Sequence, residues 1–289
     1  MINFKGTAPA IITPFTPNGD VDYTALGNLV EYWIQGGVDF LVVLGTTGES
    51  VTLTKEEKKE VFNFVSDKVK GRVPVVLGIG GNNTRELIES LSHFDLTRAQ
   101  GILSVSPYYN KPTQNGIYAH YAAFAAECPL PVILYNVPGR TGSNMLPSTT
   151  LKLAHEIENI VAVKEASGNV EQIMNIVANK PVGFNVLSGD DAITLPLLAC
   201  GVNGLISVVA NSHPKETSDM VRLGLAGDFA GARELHYPLL KIVDHLFTEG
   251  NPAGIKAVMK LKKLCGDTVR LPLVNISEEL FAKIEQIIH

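Results

Sequence analysis

The sequence predicts an α/β fold: a (β/α)8 barrel, or TIM barrel, over residues 1–227, with a C-terminal helical extension over residues 228–289. Three observations carry that expectation. Eight short apolar runs recur before residue 210, and each is nearly continuous rather than alternating, as strands covered on both faces require. Segments of helical periodicity separate them, and the strand-to-strand spacing of roughly 25 to 35 residues leaves room for one crossover helix per unit. The chain of 289 residues is long enough for a barrel of about 250 residues and an appendage. No nucleotide-binding loop opens the first unit, which argues against an open doubly wound sheet.

In chain order the predicted strands are "APAIIT" (Ala8 to Thr13), "FLVVL" (Phe40 to Leu44), "VPVVLG" (Val73 to Gly78) and "GILSVS" (Gly101 to Ser106). They continue with "PVILY" (Pro131 to Tyr135), "IVAVK" (Ile160 to Lys164), "FNVLS" (Phe184 to Ser188) and "GLISVV" (Gly204 to Val209). The clearest helix follows the second strand. Thr54 and Glu57 form a capping box, Val61, Phe62, Val65 and Val69 share a face, and Gly71 ends it. From Thr84 to Ala99, Leu87, Ile88, Leu91 and Phe94 repeat the pattern. After Pro214 helix follows helix. "HPKETSDMVRLGLAGD" reads as the eighth barrel helix, and "FAGARELHYPLLKIVDHLF", "NPAGIKAVMKLKKLCG" and "SEELFAKIEQIIH" form the extension. Nothing between them has linker composition, so the extension is expected to pack on the barrel.

Composition narrows the function. With 45% apolar and 18% charged residues the chain buries a large core. A net charge of -5 without a basic stripe argues against nucleic acid. Cys128, Cys200 and Cys265 make no CxxC pair, which suits a reducing cytoplasm. The opening "MINFKGTAPAIITPF" lacks the form of a signal peptide, and no apolar stretch reaches the roughly 18 residues of a membrane span. "GIGGNN" lacks the last glycine of a dinucleotide fingerprint, there is no Walker loop, and the seven histidines show no metal-ligand spacing. The "DD" after the seventh strand disfavours the phosphate site common at that place in barrels. No metal and no cofactor is expected.

In a barrel the site lies at the C-terminal strand ends. Those ends read "GTTGES" (Gly45 to Ser50), "SPYYNKP" (Ser106 to Pro112), "YNVPGRTG" (Tyr135 to Gly142), "KEASGN", "SGDD" and "SVVANSHP". Lys164 closes the sixth strand. Desolvated there, its amine is a nucleophile toward a carbonyl and gives a Schiff base; paired with a carboxylate or turned to solvent, it is structural, and Glu165 beside it keeps that second reading open. Tyr135, at the same level of the fifth strand, shuttles protons if Lys164 reacts and is otherwise a packing residue. Tyr108 and Tyr109 are read as packing or interface residues. The "GTTGE" turn offers hydroxyls and amides to a carboxylate. Arg140 suits bidentate carboxylate recognition or, equally, a surface ion pair.

Taken together, "GTTGES", "SPYYNKP", "YNVPGRTG", "VKEASGN" and "LSGDD" resemble the 4-hydroxy-tetrahydrodipicolinate (dihydrodipicolinate) synthase family, in the class I pyruvate-dependent aldolase superfamily, along essentially the whole chain. The resemblance implies a lyase of diaminopimelate and lysine biosynthesis that condenses pyruvate with L-aspartate 4-semialdehyde. Lys164 would carry the Schiff base; Thr46 and Thr47 would hold the pyruvate carboxylate, Thr47 as principal anchor. Tyr135, Thr46 and Tyr109 would relay protons, with Tyr109 supplied by a neighbouring subunit of a homotetramer built as a dimer of dimers. Arg140 would receive the carboxylate of the semialdehyde, and the carbonyls of Gly189 and Ile206 would line the pyruvate pocket. Sugar-acid lyases of the superfamily usually lack the arginine; an aldolase for such a substrate, or a ligand sensor on the same barrel, is the alternative. Ser50, Asn82, Glu86 and Tyr108 match the family's feedback site for lysine. Lys55 and Lys58 stand where lysine-sensitive bacterial members carry histidines; as cations they attract the effector's carboxylate and repel its ammonium groups.

Overall fold

The structure, a computed structural model, describes residues 4–288. Met1 to Asn3 of the opening stretch and His289 of the last predicted helix lie outside them. The strands are β1 (Gly6–Pro9), β2 (Leu41–Val43), β3 (Val75–Gly78), β4 (Gly101–Val105), β5 (Val132–Asn136), β6 (Ile160–Glu165), β7 (Asn185–Ser188) and β8 (Gly204–Ser207). The crossover segments hold α1 (Tyr23–Gln35), α2 (Lys55–Val69), α3 (Thr84–Ser90), α4 (Gln114–Glu127), α5 (Pro138–Thr141), α6 (Pro147–Glu156), α7 (Val170–Asn179) and α8 (Thr194–Ala199). Helices α9 (Pro214–Leu225), α10 (Phe229–Leu246), α11 (Ala253–Leu261) and α12 (Glu278–Ile288) follow β8.

All strand pairs are parallel, in the order β1-β8-β7-β6-β5-β4-β3-β2. The circle closes between β1 and β2 through a bridge, Ala10 to Val42, where the Ile11 amide donates to the Val42 carbonyl at 2.9 Å. Asn211 seals the adjacent seam: its side-chain oxygen accepts from the Ile12 amide at 3.0 Å, and its amide donates to the carbonyls of Ala10 and Val208. The fold class is therefore as the sequence predicts. Helix α10 packs on α8 and α9, and α11 reaches the turn after β8.

Alternation along each strand divides the core. Phe40, Val42, Val76, Leu103, Ile133, Ala162, Leu187 and Ile206 face the barrel interior, while Leu41, Val43, Val75, Leu77, Ile102, Leu134, Val163, Val186 and Leu205 pack under the helices. Burial on both faces is why the runs read as continuous.

Three local expectations are corrected. The first run, Ala8 to Thr13, is strand only through Pro9; from Ile11 the chain turns across the barrel end, and its apolar side chains are buried there without a ladder. The segment Thr84 to Ala99 is not one helix. Helix α3 stops at Ser90, where the hydroxyls of Ser90 and Ser92 donate to the carbonyls of Leu87 and Glu89 and compete with the helical ladder. The capping box of α2 is present, but the left-handed C-cap is Lys70, with φ 51°, one residue before Gly71.

Two histidines make stability depend on pH. Burial draws His120 (on α4) and His213 (before α9) down to about 4, with Lys262 adding to the effect at His213. From about 6.5 down to about 4 the unfolded chain binds protons that the folded chain refuses, so stability is lost as pH falls through that window. Glu165 and Asp191, pushed up by burial, act in the opposite sense over their own range. Thermal unfolding between pH 7 and 4 should show a falling Tm, and a His120→Gln/His213→Gln variant should flatten that limb; an unchanged slope contradicts the assignment.

Candidate active site

The C-terminal strand ends open into a cavity of about 1130 Å³. Strand alternation turns Lys164 inward with Ala162, and its side chain is buried. Lys164 is in register with Tyr135 on β5, and its Nζ sits 4.4 Å from the centroid of the Tyr135 ring. None of the ion pairs among the described residues involves Lys164. Gly189 packs against its stem: a Cβ there would lie 2.9 Å from Lys164 Cε and 2.8 Å from the Ala166 Cβ, so only glycine leaves the lysine room.

Glu165, the neighbour that kept a structural ion pair open, points away from the cavity. Its carboxylate accepts from Asn136 at 3.0 and 3.1 Å, from Gln172 at 2.9 Å and from the Ser167 amide at 2.9 Å. The same Asn136 binds Asn144 at 2.8 Å and accepts from the Met145 amide. This polar cluster ties the ends of β5 and β6 to the loop after α5.

Thr47 is buried on the cavity wall and Thr46 is exposed beside it. Their turn is closed by the Gly48 amide on the Gly45 carbonyl and the Glu49 amide on the Thr46 carbonyl, each at 3.1 Å. The Thr13 hydroxyl donates to the Gly48 carbonyl at 2.7 Å. Arg140 lies in the single turn of α5, between Val137, whose carbonyl accepts from the Arg140 and Thr141 amides, and the left-handed Gly142. Its Nη2 donates to the Asn251 carbonyl at 3.4 Å, and Arg140 borders the cavity.

The structure thus brings Lys164, Tyr135, Thr46, Thr47, Arg140 and Gly189 to one cavity. Ile206 lies in the interior cluster below it. Tyr109 does not line it: at φ 71° it projects from the surface, 87% exposed. Among the described residues no hydrogen bond joins the hydroxyls of Tyr135, Thr46 and Tyr109 within this chain. Ser50, Lys55, Lys58, Asn82, Glu86 and Tyr108 line the same cavity, and Asn82 donates to the Tyr108 carbonyl at 3.1 Å. Burial, helped by Lys55, holds Lys58 below the usual lysine value.

Sequence reasoning missed Asn251 and the role of Asp191. Asn251, at the start of the segment leading into α11, donates its side-chain amide to the Thr47 hydroxyl at 3.0 Å. Asp191, half of the "DD" pair, binds the Ser207 hydroxyl at 2.6 Å and the Val208 and Val209 amides at 2.9 and 3.1 Å, fixing the exit of β8.

The chain resembles known proteins over its whole length. The model of the dihydrodipicolinate synthetase family matches residues 3–289. A 4-hydroxy-tetrahydrodipicolinate synthase from Parabacteroides distasonis is 51% identical over 287 residues, covering 99% of this chain and 97% of that one. The crystal structure of dihydrodipicolinate synthase from Aquifex aeolicus superimposes with a TM-score of 0.95 at 45% identity, covering 98% of this chain and 97% of that one. A further structure, described as the first monomeric dihydrodipicolinate synthase variant, gives a TM-score of 0.95 at 38% identity, covering 98% of this chain and 95% of that one.

Proposed function

The chain belongs to the dihydrodipicolinate synthetase family, and on that premise we propose that it condenses pyruvate with L-aspartate 4-semialdehyde to 4-hydroxy-tetrahydrodipicolinate, a lyase step of diaminopimelate and lysine biosynthesis. The observation that carries the reading is Lys164: buried, free of any ion pair among the described residues, and facing the cavity that Thr47 and Arg140 border.

The neutral amine of Lys164 adds to the pyruvate ketone, and loss of water leaves an imine. Loss of a methyl proton converts it to an enamine, whose carbon attacks the aldehyde of the semialdehyde and forms the new C–C bond. The substrate's own amine then adds to the imine carbon, closes the ring and expels the Lys164 amine. Tyr135, with its ring against the Lys164 Nζ, is the one hydroxyl-bearing side chain of β5 and suits proton transfer during carbinolamine formation and collapse. Thr47 donates to the pyruvate carboxylate, with Thr46 beside it, and Gly189 and Ile206 contribute to the floor of that pocket.

Arg140 borders the cavity mouth and receives the second carboxylate. Arg140→Ala should raise the KM for the semialdehyde by about 50-fold, the equivalent of ~2–3 kcal/mol of charge-assisted hydrogen bonding, while half-saturation by pyruvate moves less than about twofold. Steady-state kinetics with each substrate varied in turn checks this. Equal losses for both substrates would sink the assignment.

In this reading Tyr109 completes the site of a neighbouring subunit in a dimer of dimers, which its exposure supports. Ser50, Lys55, Lys58, Asn82, Glu86 and Tyr108 form the effector pocket, in which the two cations favour the carboxylate of lysine and oppose its ammonium groups. Among the described residues no helix is long and apolar enough to cross a membrane; the expectation of a cytoplasmic enzyme rests on the proposed biosynthetic role. A coupled condensation assay, run with and without lysine on protein whose assembly is measured by sedimentation, tests the whole reading; turnover of a sugar-acid substrate with no condensation of the semialdehyde overturns it.

A further inference from the structure

The most completely buried ion pair among the described residues lies beneath the "GTTGE" turn and takes no part in the proposed chemistry. Lys256, on α11, and Glu49, at the end of the turn, are both fully buried at the side chain, with Nζ 2.5 Å from Oε1. Lys256 also donates to the Thr268 carbonyl at 2.9 Å and lies 4.1 Å from the centroid of Phe15. The other oxygen of Glu49 accepts from the Arg270 amide at 3.0 Å. Arg270 in turn holds Glu57 through two bonds of 2.8 and 2.6 Å and donates to the Thr52 carbonyl at 3.1 Å. Glu49 takes a left-handed φ of 53°, which any residue other than glycine adopts at a cost, and that conformation directs its side chain down to Lys256 while its amide closes the turn on Thr46.

Stability alone accounts poorly for this arrangement. A buried ion pair is often replaced by apolar residues of similar volume at little or no cost, because desolvation offsets the attraction. What the pair supplies is a fixed position for Glu49, two residues from Thr47. The extension grips the turn a second time through Asn251, whose amide donates to the Thr47 hydroxyl and leaves that hydroxyl's own proton for an acceptor in the cavity. The Thr13 hydroxyl holds the barrel side of the same turn.

We propose that the buried Glu49–Lys256 pair is a positioning device through which the C-terminal extension sets the carboxylate-binding turn at Thr46 and Thr47. Neither residue touches substrate; both act through the backbone of the turn. The proposal rests on the reading of Thr47 as the pyruvate anchor, and it places the affinity for pyruvate partly under the control of α11, more than two hundred residues downstream.

The test uses borohydride trapping of pyruvate on the full chain and on Glu49→Gln, Lys256→Met and the double variant Glu49→Gln/Lys256→Met. A half-saturation concentration is independent of how much of a preparation is folded, so a destabilised variant still reports. Acetone, a ketone with no carboxylate, serves as the second probe. Wild-type protein that traps no pyruvate at Lys164 refutes the functional reading itself. Given a wild-type adduct, the double variant should recover most of the thermal stability lost in Lys256→Met, because no unpaired charge remains. Its pyruvate half-saturation should nevertheless stay raised about tenfold, the scale of one weakened hydrogen bond to a charged group, with the acetone half-saturation unchanged. Wild-type half-saturation for pyruvate in the double variant overturns the proposal, as does an equal shift for pyruvate and acetone.

Discussion

Replacing Lys164 with alanine should lower kcat for condensation by at least about four orders of magnitude, because it removes the atom that forms the covalent bond in the proposed reaction. Chain folding should be nearly untouched. The lysine side chain hydrogen-bonds no backbone group among the described residues, and Gly189 and the Tyr135 ring, which lie against it, stay in place with an alanine. The variant should therefore melt close to wild type and still bind pyruvate reversibly through Thr47, while forming no reducible adduct. Lys164→Arg is the sharper control. It keeps the charge and much of the stem, but a guanidinium does not lose its proton in a protein and gives no Schiff base, so it should be as inactive as alanine. Activity retained in the arginine variant would show that charge rather than nucleophilicity is what the site needs.

Tyr135→Phe should reduce kcat by about 10³-fold, within the range of 10² to 10⁴ that a positioned general acid–base contributes. The phenylalanine ring preserves the face against which Lys164 packs, so the loss isolates the hydroxyl from the ring. Trapping should slow by a comparable factor, since both formation and collapse of the carbinolamine need a proton moved, while the pyruvate half-saturation stays within about twofold. A kcat near wild type would assign the proton work elsewhere and leave Tyr135 a packing residue. Single-turnover trapping and steady-state kinetics on the same preparation separate the two outcomes.

The barrel and the candidate site residues at its strand ends were legible for physical reasons. Both faces of every strand are covered, so the runs from Phe40 and Ile160 stood out as unbroken apolar stretches, and a lysine at the end of one was conspicuous because its burial is costly. The choice between a reactive and an ion-paired Lys164 needed the structure, which gives Glu165 a separate task among Asn136, Gln172 and Ser167. What stayed hidden were couplings across long separations. Asn251 meets Thr47 across 204 residues and Lys256 meets Glu49 across 207, and neither contact has a local spacing that betrays it. Lys256 sits in a helix, where a lysine ordinarily marks the solvent face; here every residue from Ala253 to Met259 is buried, and the charge is buried with them. Strand and helix ends were misread where burial and hydrogen bonding part company. The run to Thr13 is apolar because it packs, and α3 ends early because serine hydroxyls take its carbonyls.

The proposed reaction requires a covalent bond between Lys164 and pyruvate, and the most direct measurement of it is peptide mass spectrometry after borohydride reduction in the presence of pyruvate. The expected result is an Nε-(1-carboxyethyl) adduct on the peptide that contains Lys164, absent without pyruvate and absent in Lys164→Ala. Unmodified Lys164 under turnover conditions, or the adduct on another lysine such as Lys256, would contradict it.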